Sequence, residues 1–129
     1  MLELKHDTLL FTFPAVHKDA VCQIDFQRTL RIPDDNRAYA LPPGLGRFPI
    51  EHTEDHASRL PAKWKEHGGV LLPMYQSEAL WINFSGGYPC AIKIATGKIN
   101  AVTGEKWTND LHRKPQDYLV CRLLLEKKK

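Results

Sequence analysis

Between Gly69 and Trp107 the chain writes four short apolar runs, GVLLPMY, ALWINFSGGY, CAIKIATG and INAVTGEKW, each closed by a turn signal. Runs of this length at this spacing predict a meander of strands, because turns so close together leave no room for a helix. In CAIKIAT the apolar Cys90, Ile92 and Ile94 alternate with Ala91, Lys93 and Ala95. That is the two-residue period of a strand with one buried face, and it turns Lys93 toward water. Gly86, Gly87, Gly97 and Gly104 sit where hairpin turns or bulges demand positive φ.

The first third carries the same signal. Residues 8–13 are rich in β-branched and aromatic side chains, and a polar turn follows at residues 17–19. Beyond it Cys22, Ile24, Phe26, Leu30 and Ile32 share one face that only Arg28 interrupts, while Gln23, Asp25, Gln27, Thr29 and Arg31 make a polar opposite face. The two segments predict a hairpin, ended by the turn-forming sequence PDDN at residues 33–36. The next stretch, AYALPPGLGRFPI, reads as an ordered loop whose Leu41, Leu45, Phe48 and Ile50 pack over an open end of the sheet.

Helix signals are confined to residues 53–67. Thr53 is placed to cap a first turn holding Glu54 and Asp55, which suit the positive end of the helix dipole. Pro61 suits a helix start, and Gly68-Gly69 suits a stop after residues 62–67, with Trp64 predicted to insert into the core.

Composition bounds the function. A chain of 129 residues that is 43% hydrophobic and 26% charged is ordinary for one globular domain with a real core. The formal charge of +3 resides in the terminal lysines, 127–129, without which 15 basic residues face 15 acidic ones. A neutral body lacks the basic face that nucleic acid requires, so no nucleic-acid partner is expected. Cys22, Cys90 and Cys121 form no CxxC pair, and an odd count suits a reducing compartment. No secretory leader is evident and no apolar run is long enough to span a bilayer, which predicts a cytoplasmic protein without a membrane span.

Four arrangements invite a chemical reading. His52 and His56, four apart, would share a metal if both lay on one helix, with Glu54 as a base between them. The glutamate does not adjoin the first histidine, no third ligand follows at a telling spacing, and His67, Asp110 or His112 would be arbitrary additions. Cys90 would need a histidine partner to act as a nucleophile, yet it sits in phase with Ile92 and Ile94, as a core cysteine does. ATGK places Lys98 after Gly97 but leads into a strand, whereas a phosphate loop leads into a helix. The fourth is a groove. If the strands near residues 71–84 and 90–102 pair, Gln76, Trp81, Lys98 and Asn100 line an aromatic floor with hydrogen-bonding rims. The plainer reading makes Trp81 and Trp107 core residues and the lysines solvent-facing.

The stretches FQRTLRIPDDNRAYALPPGLGRFPI, LPAKWKEHGGVLLPMYQSEALWINF and YPCAIKIATGKINAVTGEKW, followed by PQDYLV, resemble an uncharacterised family of bacterial and fungal proteins sometimes labelled integral membrane protein. The resemblance covers residues 8–120 and implies no activity or catalytic residue. Similar proteins continue after QDYLV into a further β-rich portion, where this chain reads CRLLLEKKK. The resemblance therefore implies an N-terminal part only, with residues 121–129 an atypical, truncated tail, while residues 118–125 have the apolar content of a last strand or a short helix.

These readings predict a mainly β (α+β) fold: one domain over residues 1–120, a twisted or partly closed antiparallel sheet of six to eight strands, and one or two short helices. The expected function is a non-catalytic ligand- or protein-binding domain using Gln76, Trp81, Lys98 and Asn100, with no cofactor and no catalytic residue assigned. The alternative is a small metal-dependent hydrolase using His52 and His56. A hydrophobic sheet edge left open would also pair two copies into a homodimer.

Overall fold

The computed structural model describes residues 1–108 and the backbone of Leu119–Leu125. Among the described residues the fold is mainly β, with antiparallel sheets, one short helix and a 3₁₀ turn. The strands are β1 (Leu2–Lys5), β2 (Thr8–Thr12), β3 (Val21–Leu30), β4 (Glu51–His52), β5 (Val70–Leu71), β6 (Glu78–Ser85), β7 (Cys90–Thr96), β8 (Ile99–Asn100) and β9 (Leu119–Leu125). The 3₁₀ turn is Thr53–His56 and the helix, α1, is Ala62–His67. The chain divides into two compact units, Met1–Leu10 with Gln23–Ser85 and Phe11–Cys22 with Gly86–Lys129. None of the described helices is long and apolar enough to cross a membrane.

The expected hairpin is present as β2 and β3, neighbours in a four-stranded sheet of order β1-β2-β3-β6. A second hairpin, β1 to β2, turns through His6 and Asp7 at φ 48° and 58°, the left-handed pair that a two-residue turn between twisted strands requires. Asp7 then accepts a hydrogen bond from the Ile50 N–H at 3.0 Å, tying the turn to the end of the proline-rich loop.

One continuous meander is not what forms. The strands after Gly69 enter three sheets: β5 pairs with β4, β6 with β3, and β7 with β8 and β9. The pairing of β6 with β7 expected from sequence is therefore corrected. The eight residues of β6 run antiparallel to β3 from Gln23↔Ser85 to Leu30↔Glu78, a full-length match. After Ser85 the chain does not reverse onto β6. Gly86 lies so close to the Val21 backbone that a Cβ there would stand 2.4 Å from the Val21 carbonyl oxygen.

In the first unit the core holds Leu9, Ile24, Phe26, Phe48 and Ile50, all buried. The expected apolar face of β3 holds through Phe26 and then fails, since Leu30 and Ile32 are exposed. The polar face is also covered in part, with Asp25 and Thr29 buried. The loop accounts for this. Residues 45–48 run beside β3, where the Arg28 N–H donates to Gly46 O, the Leu45 N–H to Arg28 O and the Phe48 N–H to Phe26 O, each at 2.8 Å. Phe48 and Ile50 thus pack as expected, whereas Leu41 and Leu45 face water.

The 53–69 region follows its sequence signals in outline. Pro61 precedes α1 and Gly68, at φ 63°, ends it. Thr53 is no helix cap: it is buried, and its hydroxyl donates to the Gly69 carbonyl at 3.2 Å. Trp64 is half-buried rather than core.

In the second unit Ala20, Cys22 and Ala95 are buried. Burial of Ala95 corrects the simple alternation expected along β7, where residues 90–94 are all half-buried. Strand β8 returns from β7 through Gly97 and Lys98, at φ 56° and 68°. Parallel pairing with β9, from Cys90↔Leu119 to Thr96↔Leu125, makes residues 119–125 a strand. Tyr118 and residues 126–129 lie outside the described residues.

Candidate functional site

The densest polar arrangement lies in the first unit, on the face of β3 and β6 that carries the odd-numbered residues of β3. Asp25 stands opposite Asn83, and Gln27 opposite Trp81. Side chains so paired share one face at neighbouring distance. On the far side of β3, Arg47 forms a β-bridge with Gln27, so Arg47, Gln27 and Trp81 make one row across three chain segments.

Asp25 is the hub. Its side chain is only 3% exposed, and a carboxylate so far from water must be compensated by donors or a counter-charge. Both are present. The Gln27 amide donates to Oδ1, the Asn83 amide donates to Oδ2 at 3.0 Å, and Arg47 Nε stands 3.8 Å from Oδ1. With its oxygens engaged in this way, Asp25 is built to orient Gln27, Asn83 and Arg47.

Trp81 has an unmet need. Its Nε1 is buried and has no hydrogen-bond partner among the described residues. A buried N–H in that state costs about 1–3 kcal/mol, so a native fold that keeps one invites an explanation. Residues 42–44 cross over this part of the face, with the Thr29 hydroxyl donating to the Pro43 carbonyl at 3.1 Å. Gly44 lies on the indole, where an added Cβ would stand 3.2 Å from Cζ2 and 3.6 Å from Nε1. The glycine thus sets how closely the loop approaches Trp81.

Of the four groove residues expected from sequence, two belong to each unit. Trp81 belongs to the face just described, and Gln76 is exposed in the turn before β6, where the Tyr75 N–H donates to the Glu78 carboxylate at 2.9 Å. Lys98 and Asn100 belong to the second unit. Asn100 serves its own turn, its Oδ1 accepting the Val102 N–H at 2.9 Å and the Thr103 N–H at 3.2 Å. Lys98 is the exposed second residue of the β7–β8 turn. Lys93, expected to face water, is half-buried, its ammonium 4.6 Å from the centre of the Trp107 ring and donating to the Thr108 carbonyl.

His52 and His56 do not share one helix, since His52 ends β4 and His56 closes the 3₁₀ turn. Each imidazole faces a different carboxylate, His56 bonding to Glu51 and His52 lying 3.8 Å from Glu54. Among the described residues no group of three or more His, Cys, Asp or Glu side chains is placed to hold a metal ion. Asp110 and His112 lie outside the described residues. Cys22 is buried and Cys90 half-buried. In the exposed loop, the Tyr39 hydroxyl donates to Asp35 at 2.7 Å, which raises the pKa of the phenol above its ordinary value.

Asp25, Gln27 and Arg47 were not singled out from sequence. The alternation marks Asp25 and Gln27 as polar, but only the register with β6 and the bridge to Arg47 bring the group together. Compared with protein-family models, curated proteins and solved structures, the chain matches none.

Proposed function

We propose that the chain is a non-catalytic binding domain that holds a small molecule on the polar face of β3 and β6, around Trp81. The observation that carries this reading is the buried Trp81 N–H, without a hydrogen-bond partner among the described residues, on the same face as a carboxylate that two amides already engage. A face that engages Asp25 and leaves the buried Trp81 N–H unmet gains from a ligand that supplies an acceptor. The aromatic ring gives such a ligand apolar area, while Arg47 and Asn83 give it polar margins. Catalysis has less support, because Asp25 is already engaged by two amides and a guanidinium.

The test is a small-molecule screen read by tryptophan fluorescence on the full chain and on Trp81→Phe, which keeps an aromatic ring and removes the N–H. Compounds that change the wild-type signal are expected to lose their effect in the variant. Compounds acting equally on both proteins would overturn this assignment of the face.

A further inference from the structure

We infer that the ligand of this face carries an oxyanion, a carboxylate or phosphate group, that seats on Arg47. The inference rests on the binding face proposed above and adds the chemical class of what it binds.

Arg47 has the features of a presented arginine. Its backbone is fixed by the bridge to Gln27, and its Nε faces the Asp25 carboxylate at 3.8 Å. The rest of the side chain stays accessible, 52% of it exposed. A guanidinium held at Nε keeps its terminal N–H groups as a fork, the geometry that matches a carboxylate or phosphate edge. The buried carboxylate behind it has a second effect. It restricts the side chain before a ligand arrives, so less conformational freedom is lost on binding.

The same row points to an acceptor as the complement. Gln27 lies between Arg47 and Trp81 and directs one amide N–H to Asp25, as Asn83 does. The two ends of the row carry the Arg47 guanidinium and the Trp81 N–H, the latter without a hydrogen-bond partner among the described residues. Both call for a ligand oxygen. A ligand with an anionic oxygen at one end and a neutral acceptor at the other would answer both.

The experiment is an NMR titration of the full ¹⁵N-labelled chain, following the Arg47 Nε and Trp81 Nε1 signals with sodium acetate, inorganic phosphate and the neutral control acetamide. Saturable shifts of the Arg47 signal with acetate or phosphate, at least tenfold weaker with acetamide, are the expected result. The arm that saturates at lower concentration identifies which oxyanion fits. Arg47→Gln should abolish saturation at Trp81, and Arg47→Lys, which keeps the charge without the fork, should weaken it while preserving the dispersed spectrum. If acetamide shifts Trp81 as strongly as the anions do, the oxyanion assignment is overturned while the binding face survives. If no probe gives a saturable shift at Arg47, the assignment is likewise overturned.

Discussion

Asp25 on β3 and Asn83 on β6 are direct cross-strand partners, and the Asn83 amide donates to the buried Asp25 carboxylate at 3.0 Å. They are 58 residues apart in the chain, so this one bond reports that β3 has found β6 in the right register. A slip by one residue would carry Asp25 to the face occupied by Ile24 and Phe26.

Removing the hub should therefore be costly. Asp25→Ala leaves the amides of Gln27 and Asn83 without their acceptor, and a loss of about 2–4 kcal/mol in urea unfolding is expected. Asn83→Ala should cost about 1 kcal/mol, being exposed on its other side. The double mutant should fall short of the sum by about 1 kcal/mol, since the two side chains interact directly. Strict additivity would remove the bond from the account.

Phe48 lies in a loop by sequence, yet it is fully buried and receives the Arg28 guanidinium at 4.9 Å from its ring centre. Phe48→Ala should cost about 3–5 kcal/mol in unfolding free energy, as for a core aromatic, whereas Leu41→Ala, on the same loop but exposed, should stay within about 0.5 kcal/mol. Similar small effects for both would mean that the loop does not anchor the sheet.

The two glycines after β6 should differ sharply. Gly86→Ala drives a methyl group against the Val21 carbonyl at 2.4 Å, and neither partner is a flexible side-chain end, so a loss of about 2 kcal/mol or more is expected. Gly87→Ala meets nothing within 4 Å and should be tolerated. Thermal melting of the two variants makes the comparison.

The histidines near β4 are engaged with carboxylates. Elemental analysis of the purified full chain should accordingly find less than stoichiometric zinc, and His56→Ala should leave the metal content unchanged. Stoichiometric zinc lost on that substitution would favour the hydrolase reading instead.

What was legible in the sequence was local. The apolar face of β3 through Phe26, the Pro61 start and Gly68 stop of α1, and the Gly97 turn between β7 and β8 each depend on near neighbours, and each is found. The partner of each strand was not legible. Adjacent runs read as one meander, but β6 pairs with β3 and not with β7, and the Gly86 connection packs against the Val21 backbone. That choice decides the site. It sets Trp81, one of the groove residues expected from sequence, opposite Gln27, whose other neighbour is Arg47. Leu30, Ile32, Leu41 and Leu45 are exposed for a related reason: apolar character alone does not bury a side chain.

The most direct test of the binding face uses the chain's three tryptophans, Trp64, Trp81 and Trp107, as separate reporters. Selective ¹⁵N labelling gives one indole N–H signal for each, assigned by single Trp→Phe substitutions, and a small-molecule screen then asks which of them moves. The account predicts that binding compounds shift the Trp81 indole signal most, as its unpartnered N–H finds an acceptor. Compounds that bind saturably while shifting Trp64 or Trp107 and leaving Trp81 in place would contradict it.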